Sequence, residues 1–507
     1  MTAGTPTSDL GEARDREGSG LGRAAVGGVA WHGLSYLVGK ILVLGTTIVL
    51  ARLLVPADFG LVGLALVFIA YAETITDLGM AQALIYLPEE KEANDAALTV
   101  TLGFSAVLVA AAMLAAPAVA EFFGRPDVTG LFRVMSLSLL IGGAGQVPDA
   151  LLRRRLQFRR RLIADLSRSA GQGVVSITLA AAGAGPWSIV YGYLVGGALW
   201  TGIAWALIAY RPDPRFWRIR WSRARPLLSY GVAVAGNALL LSLVFDIDYL
   251  IVGRRLGATP LGHYTLGFRI PEMVIINVFY VLSAVAFPLF SRAREDMDRL
   301  RRGYLTTIRL QTVYGVGIGL GMAAVAPMLV HVVFGSKWES SIVPLQALAL
   351  YAAFRSLGVG AVDVFKAIGR PSLAMTLSFL RLLVLVPVLL FAVEYGIDGI
   401  SWAQAGVALV FAILMQVIAS RVLGVPVKAL GAAIYPAIAA GAGVAIGAGA
   451  VRLWMPGGEP TRLALAIVAG GVAGLAALRA ADPRFLRDLR DLLVSGRATR
   501  TQTRADE

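Results

Sequence analysis

What most constrains this chain is the recurrence of apolar stretches about 20 residues long, because a helix rising 1.5 Å per residue needs that length to cross ~30 Å of hydrocarbon. Read between Gly, Pro and charged breaks, the stretches predict about fourteen helices. They lie near 27–51, 59–80, 97–119, 131–150, 168–185, 187–210, 228–252, 263–289, 304–333, 342–366, 372–393, 397–420, 430–452 and 462–480. Composition agrees, since 57% of the 507 residues are hydrophobic, 15% are charged and the mean hydropathy is +0.71. Such a mixture lies outside the usual soluble range. Inside lipid every peptide group must find its partner within the protein, so only helices or a closed barrel can span. A barrel would show ~10-residue alternating segments instead. The expected class is therefore all-α, a polytopic membrane protein.

The formal charge of +14 has a topological explanation. Seven arginines fall between Arg153 and Arg168, six between Arg211 and Arg225, six between Arg292 and Arg309, and seven between Arg479 and Arg504. These clusters occupy alternate connections, and the cytoplasmic side is the one that retains Lys and Arg. Both termini are thus expected on the cytoplasmic side of the membrane. The basic loops then call for no nucleic-acid partner, and membrane lipids with anionic headgroups become a secondary one. Cysteine is absent, so neither a disulfide nor a thiolate metal site is expected. His32, His263 and His331 are scattered, no Walker-type loop occurs, and no metal or cofactor is predicted. Residues 1–24 are polar and lack an apolar core, which reads as a disordered cytoplasmic tail rather than a cleaved signal.

The chain also carries a faint internal repeat. At a displacement of 202 residues, ARLLVPADFGLVGLAL (51–66) lies on GRRLGATPLGHYTLGF (253–268), matching Arg52 to Arg254, Leu54 to Leu256, Gly60 to Gly262 and Leu64 to Leu266. Phe123-Gly124 matches Phe334-Gly335 at 211, and the additional residues are assigned to SRAREDMDRLRR (291–302), read as a charged interfacial helix. Two related six-helix lobes are therefore expected, at 25–210 and 211–425, with an accessory helix pair at 426–480 and a cytoplasmic tail at 481–507.

The segment ARLLVPADFGLVGLALVFIAYAETITDLGMAQALIY (51–86) resembles the N-terminal signature of Wzx-type polysaccharide flippases. DIDYLIVGRRLGATPLGHYTLGFRIPE (246–272), VVFGSKWES (332–340) and KAIGRP (366–371) look like later landmarks of the colanic-acid-exporter-like branch of the multidrug/oligosaccharidyl-lipid/polysaccharide flippase superfamily. The resemblance spans about residues 25–425. It implies two six-helix bundles facing across a central cavity, alternating access, and export of a polyprenyl-pyrophosphate-linked oligosaccharide. The accessory pair departs from the minimal twelve-helix plan.

A charge at mid-bilayer costs roughly 2.5 to 3.5 kcal/mol on insertion scales, which makes charged residues there functional candidates. Lys40, Arg355 and Arg381 are central to their predicted helices, and Arg269 sits shallower, two residues before Pro271. That proline is expected to disturb its helix and free carbonyls. A row of cations suits a pyrophosphate, whose oxygens Lys and Arg both bind. These four are the candidate substrate-binding residues. The bland alternative is that each pairs with a buried carboxylate, and Glu73, Asp77, Asp246, Asp248 and Asp363 are available for pairing or for a coupling ion, H+ or Na+. Arg52, Arg254 and Arg255 read equally well as interface anchors.

The leading expectation is a transporter and not an enzyme, flipping a lipid-linked oligosaccharide for polysaccharide, exopolysaccharide or lipopolysaccharide-type export. The alternatives are a cation-coupled multidrug antiporter of the same superfamily and, ranked last, a membrane-embedded glycan polymerase or ligase. Short predicted outer loops weigh against the enzyme.

Overall fold

The computed structural model describes residues 38–217 apart from 77–78 and 87–89, then Ala224, Arg225 and Leu228, and 246–487 apart from Leu486. The expected N-terminal tail, His32, Asp77, most of the helix near 228–252 and most of the C-terminal tail lie outside the described residues. Among the described residues every regular element is helical. Among the described residues ten stretches are long and apolar enough to cross a membrane, and the longest of them, Pro371–Leu423, has 53 residues and runs through two helices. Leu114, Ile446 and Leu453 are 83%, 71% and 77% exposed, which water would penalise and lipid does not.

The first unit takes in α1 (38–53), then α2 (Pro56–Thr76), α3 (Met80–Tyr86), α4 (Lys91–Phe123), α5 (Val128–Arg154), α6 (Phe158–Ala181) and α7 (Trp187–Leu207). Its contiguous part runs over Leu61–Asp246, while Val55–Gly60 cluster with the second unit. A core of Met80, Leu84, Leu98, Val147, Leu151 and Ile208 holds the helices together. α4 has 33 residues, about 50 Å at 1.5 Å each, so its charged first turns extend past the hydrocarbon. It closes at Gly124, whose φ of +63° suits a residue without Cβ, and whose neighbour Arg125 donates back to Ala120 O.

The helix expected at 168–185 begins ten residues earlier, at Phe158. The stretch Phe158–Arg168 is too basic to signal a span, yet nothing in it breaks a helix, and Arg161 is held at 2.7 Å by the Asp149 carboxylate of α5. Arg153 ion-pairs with Asp149 as well. This buried carboxylate gives part of the arginine-rich loop a structural partner that charge counting misses.

The second unit comprises α8 (246–255), α9 (Ala258–Pro271), α10 (Asn277–Ala293), α11 (Met297–Leu329), α12 (Ile342–Ala367), α13 (Pro371–Ala392), α14 (Gly396–Leu423), α15 (Val427–Trp454) and α16 (Glu459–Ala481). Between α9 and α10 a π-helical stretch, Glu272–Ile276, follows Pro271 directly. Proline lacks the N–H that would continue the ladder. The disturbance expected there is observed, and the Tyr314 hydroxyl donates to Val274 O within it. The interfacial helix expected at 291–302 is not observed. The segment divides between the end of α10 and the first turn of α11, because Asp296 caps α11 by accepting from Asp298 N at 3.1 Å and Arg299 N at 3.0 Å.

Two close approaches organise this unit. A Cβ on Gly60 would lie 1.7 Å from Ala258 O, and one on Gly262 would lie 2.0 Å from Pro56 O. The two glycines matched in the sequence therefore meet each other's helix starts reciprocally. α15 and α16 pack through Gly443, Gly447, Gly470 and Gly474, and Gly441 seats α15 on Val316 and Leu320 of α11. Small residues allow such backbone proximity where lipid offers no hydrophobic drive between helices. Past α16, Asp482 ion-pairs with Arg309, whose guanidinium carbon is 4.9 Å from the Phe485 ring centroid.

Candidate functional site

Each unit holds a polar cluster among its spanning helices. In the second unit the centre is Tyr351 of α12, 5% exposed. Arg355, one turn later, donates from Nη1 to the Tyr351 hydroxyl at 3.2 Å, and Arg381 of α13 donates from Nη2 to the same oxygen at 3.4 Å. Both guanidinium carbons also lie near the ring, at 5.9 and 5.7 Å from its centroid. This geometry adds a cation–π attraction of about 0.5 to 2 kcal/mol each. Phe268 of α9 backs the ring edge-on at 5.8 Å. Arg381 has no carboxylate partner among the described residues, and its Nε is buried without a hydrogen-bond acceptor. Two like charges converge on one neutral oxygen, an arrangement that welcomes an anion.

The carboxylates of this unit are engaged elsewhere. Asp248 of α8 is buried and accepts from Tyr264 Oη, from Gln404 Nε2 at 2.9 Å and from Tyr249 N at 3.0 Å. Neutral donors on three sides give it the contacts of a structural tie between α8, α9 and α14. Asp363, in the last turns of α12, accepts from Ser283 Oγ at 2.7 Å, and its second oxygen is buried with no partner among the described residues. Asp246 is half-buried at the start of α8. Arg269 forms a local ion pair with Glu272 at 3.4 Å, both side chains about a third exposed.

The first unit contains a cavity of about 90 Å³, several times the roughly 10–15 Å³ a single water demands. Glu73 of α2 lines it, accepting from the Tyr193 hydroxyl at 2.8 and 2.9 Å and from Ser138 Oγ at 3.1 Å. Arg168 of α6 lines it too, its guanidinium carbon 5.7 Å from the Tyr193 ring centroid and 5.9 Å from that of Trp200. No direct ion pair joins Glu73 to Arg168 among the described residues. Lys40, in α1, is half-buried.

The structure thus brings Arg355 and Arg381 together, gives Arg269 a local partner, and places Glu73 in a cavity. Asp77 lies outside the described residues. Arg52, Arg254 and Arg255 are exposed near helix ends, as interface anchors would be. Sequence reasoning missed Tyr351, the pivot of the cationic cluster, because a lone tyrosine in an apolar helix carries no distinguishing signal. It also assigned Arg168 to a cytoplasmic loop. The correspondence emerges only with the helix starts in hand: Arg168 and Arg381 stand 213 residues apart, the displacement between Phe158 and Pro371, which open α6 and α13.

Comparison with known proteins follows the same lines. The family described as "Polysaccharide biosynthesis protein" matches residues 49–343. The lipopolysaccharide biosynthesis protein WzxC of Escherichia coli (strain K12) is 26% identical over 78% of this chain and 80% of the relative. The succinoglycan biosynthesis transport protein ExoT of Rhizobium meliloti (strain 1021) is 26% identical over 70% and 71%. Among solved structures, the lipid II flippase MurJ in an inward closed conformation superposes with a TM-score of 0.66 at 13% identity, covering 90% of this chain and 99% of that one. At that identity the likeness concerns the fold.

Proposed function

The chain belongs to the polysaccharide biosynthesis protein family, and from that membership we propose that it flips a polyprenyl-pyrophosphate-linked oligosaccharide across the bacterial inner membrane by alternating access, as a transporter and not an enzyme. The relatives support the passenger's class, one being named for lipopolysaccharide biosynthesis and the other for succinoglycan biosynthesis transport. The observation that carries the chemistry is the Tyr351 cluster. Its two guanidiniums, one with a buried N–H lacking an acceptor, match the oxygens of a pyrophosphate better than the organic cation of a drug antiporter.

In this reading Arg355 and Arg381 receive the pyrophosphate while the polyprenyl tail stays in lipid. Tyr351 orients both guanidiniums, and its hydroxyl yields its hydrogen bonds as phosphate oxygens arrive. Lys40 is the candidate cation of the first unit, and Arg269 is the weakest of the four because Glu272 already compensates it. Among the described residues, the orphan oxygen of Asp363 makes it the best placed carboxylate for a coupling H+ or Na+. Both termini and the Arg153–Arg168 segment face the cytoplasm. Binding of inorganic pyrophosphate to the purified protein tests the site: Arg381→Gln is expected to weaken it about tenfold or more, as loss of a charged hydrogen-bond donor should. Unchanged affinity in Arg381→Gln and Arg355→Gln alike would remove the cluster from the binding path.

A further inference from the structure

The cavity of the first unit differs in one decisive respect from the Tyr351 cluster. The displacement of 213 residues that carries Arg168 onto Arg381 also carries Ser138 onto Tyr351 and Gly142 onto Arg355. Where the second unit has its second arginine, the first has a glycine lining open space, since a Cβ on Gly142 would meet nothing within 4 Å. Glu73 supplies the other charge, held in place by Ser138 and Tyr193.

A cavity walled by one guanidinium and one carboxylate that do not pair directly disfavours both simple ions. An anion meets Glu73, and a bare cation meets Arg168; desolvation in a membrane interior makes either repulsion costly. A neutral ligand that both donates and accepts satisfies both walls. A sugar ring does so, one hydroxyl donating to Glu73 and its neighbour accepting from Arg168, with Gln146 offering an amide and Trp200 an indole face at the same cavity.

We propose that the cavity bounded by Glu73, Gln146, Arg168, Tyr193 and Trp200 is a subsite for one neutral, hydroxyl-rich sugar residue of the passenger, distinct from the cationic cluster that takes its pyrophosphate. The inference rests on the flippase reading for its passenger, and its test is separable from that reading.

The purified, reconstituted full chain is titrated with a panel of neutral methyl hexosides, and separately with inorganic pyrophosphate, followed by saturation-transfer NMR and thermal shift. At least one hexoside is expected to bind at millimolar concentration. Its affinity should fall about tenfold or more in Glu73→Gln and in Arg168→Gln, the loss expected for a charged hydrogen-bond partner. Gly142→Leu, which fills the cavity from a position with room for a side chain, should also block the hexoside while leaving pyrophosphate binding intact. Arg381→Gln should show the reverse pattern, losing pyrophosphate and keeping the hexoside. The subsite is overturned if no hexoside binds the wild type, or if binding survives all three cavity variants. It is equally overturned if Na+ or a proton, and no hexoside, stabilises the wild type through Glu73. Failure of pyrophosphate binding alone would count against the cationic cluster and leave the sugar subsite standing.

Discussion

At the residue scale, the charges inside the spans divide by the company they keep. Asp248 is surrounded by neutral donors from Tyr264, Gln404 and Tyr249, so its removal strands buried groups rather than a ligand. Asp248→Ala should cost about 1 to 3 kcal/mol for each orphaned partner, read as a lower melting temperature and lower membrane abundance. Asp248→Asn, which keeps an acceptor oxygen, should lose less. If Asp248→Ala keeps full abundance and melting temperature while transport stops, the carboxylate acts on an ion and not on the fold. Arg381 is the contrasting case. With no carboxylate partner to strand among the described residues, its replacement avoids the ~3 to 5 kcal/mol penalty of breaking a buried ion pair. Sequence alone could mark Arg355 and Arg381 by depth, because depth follows from helix length. It could not reveal that they share Tyr351, since their meeting depends on how α12 and α13 pack. Arg168 was hidden for the opposite reason: its basic neighbours Arg159, Arg160 and Arg161 resemble a loop by composition.

At the element scale, helix existence was legible and helix ends were not. Apolar length identifies a span, but the ends of α4, α6 and α11 are set by charged turns that continue past the hydrocarbon. The Asp296 cap shows how. It offers the first N–H groups of α11 an acceptor, starting a helix inside what reads as a charged loop. Asp296→Ala should destabilise that start by ~1 kcal/mol, seen as faster amide exchange at Asp298 and Arg299. Unchanged protection there would mean the cap is dispensable. Glycine contacts carry the packing. Gly447→Leu puts a side chain where a Cβ already falls 2.7 Å from Ala469 O, so α15 and α16 must separate. A loss of about 1 to 3 kcal/mol is expected, whereas Gly449→Leu, with nothing within 4 Å of its Cβ, should be tolerated. Equal melting temperatures for the two variants would contradict this packing.

At the scale of the whole molecule, the topology and the transport chemistry are tested separately. The absence of cysteine makes the chain its own background for labelling. Ser340→Cys should react with an impermeant reagent added outside intact cells, and Gln157→Cys should react only after permeabilisation; the opposite pattern inverts the orientation. The transmembrane class was legible because lipid imposes a length on every span, and the passenger came from the family's motifs rather than from any physical pattern. Composition alone could not separate the two polar clusters, one cationic and one of balanced charge, since both are built from residues far apart in the chain. The central claim is that Arg381, a cation inside a span with no carboxylate partner among the described residues, handles an anionic passenger. Its most direct measurement is glycan export by cells carrying Arg381→Ala or Arg381→Lys at matched protein abundance. The account predicts normal membrane levels for both, export reduced about tenfold or more in Arg381→Ala, and partial export in Arg381→Lys. Wild-type export by Arg381→Ala at normal abundance would contradict it.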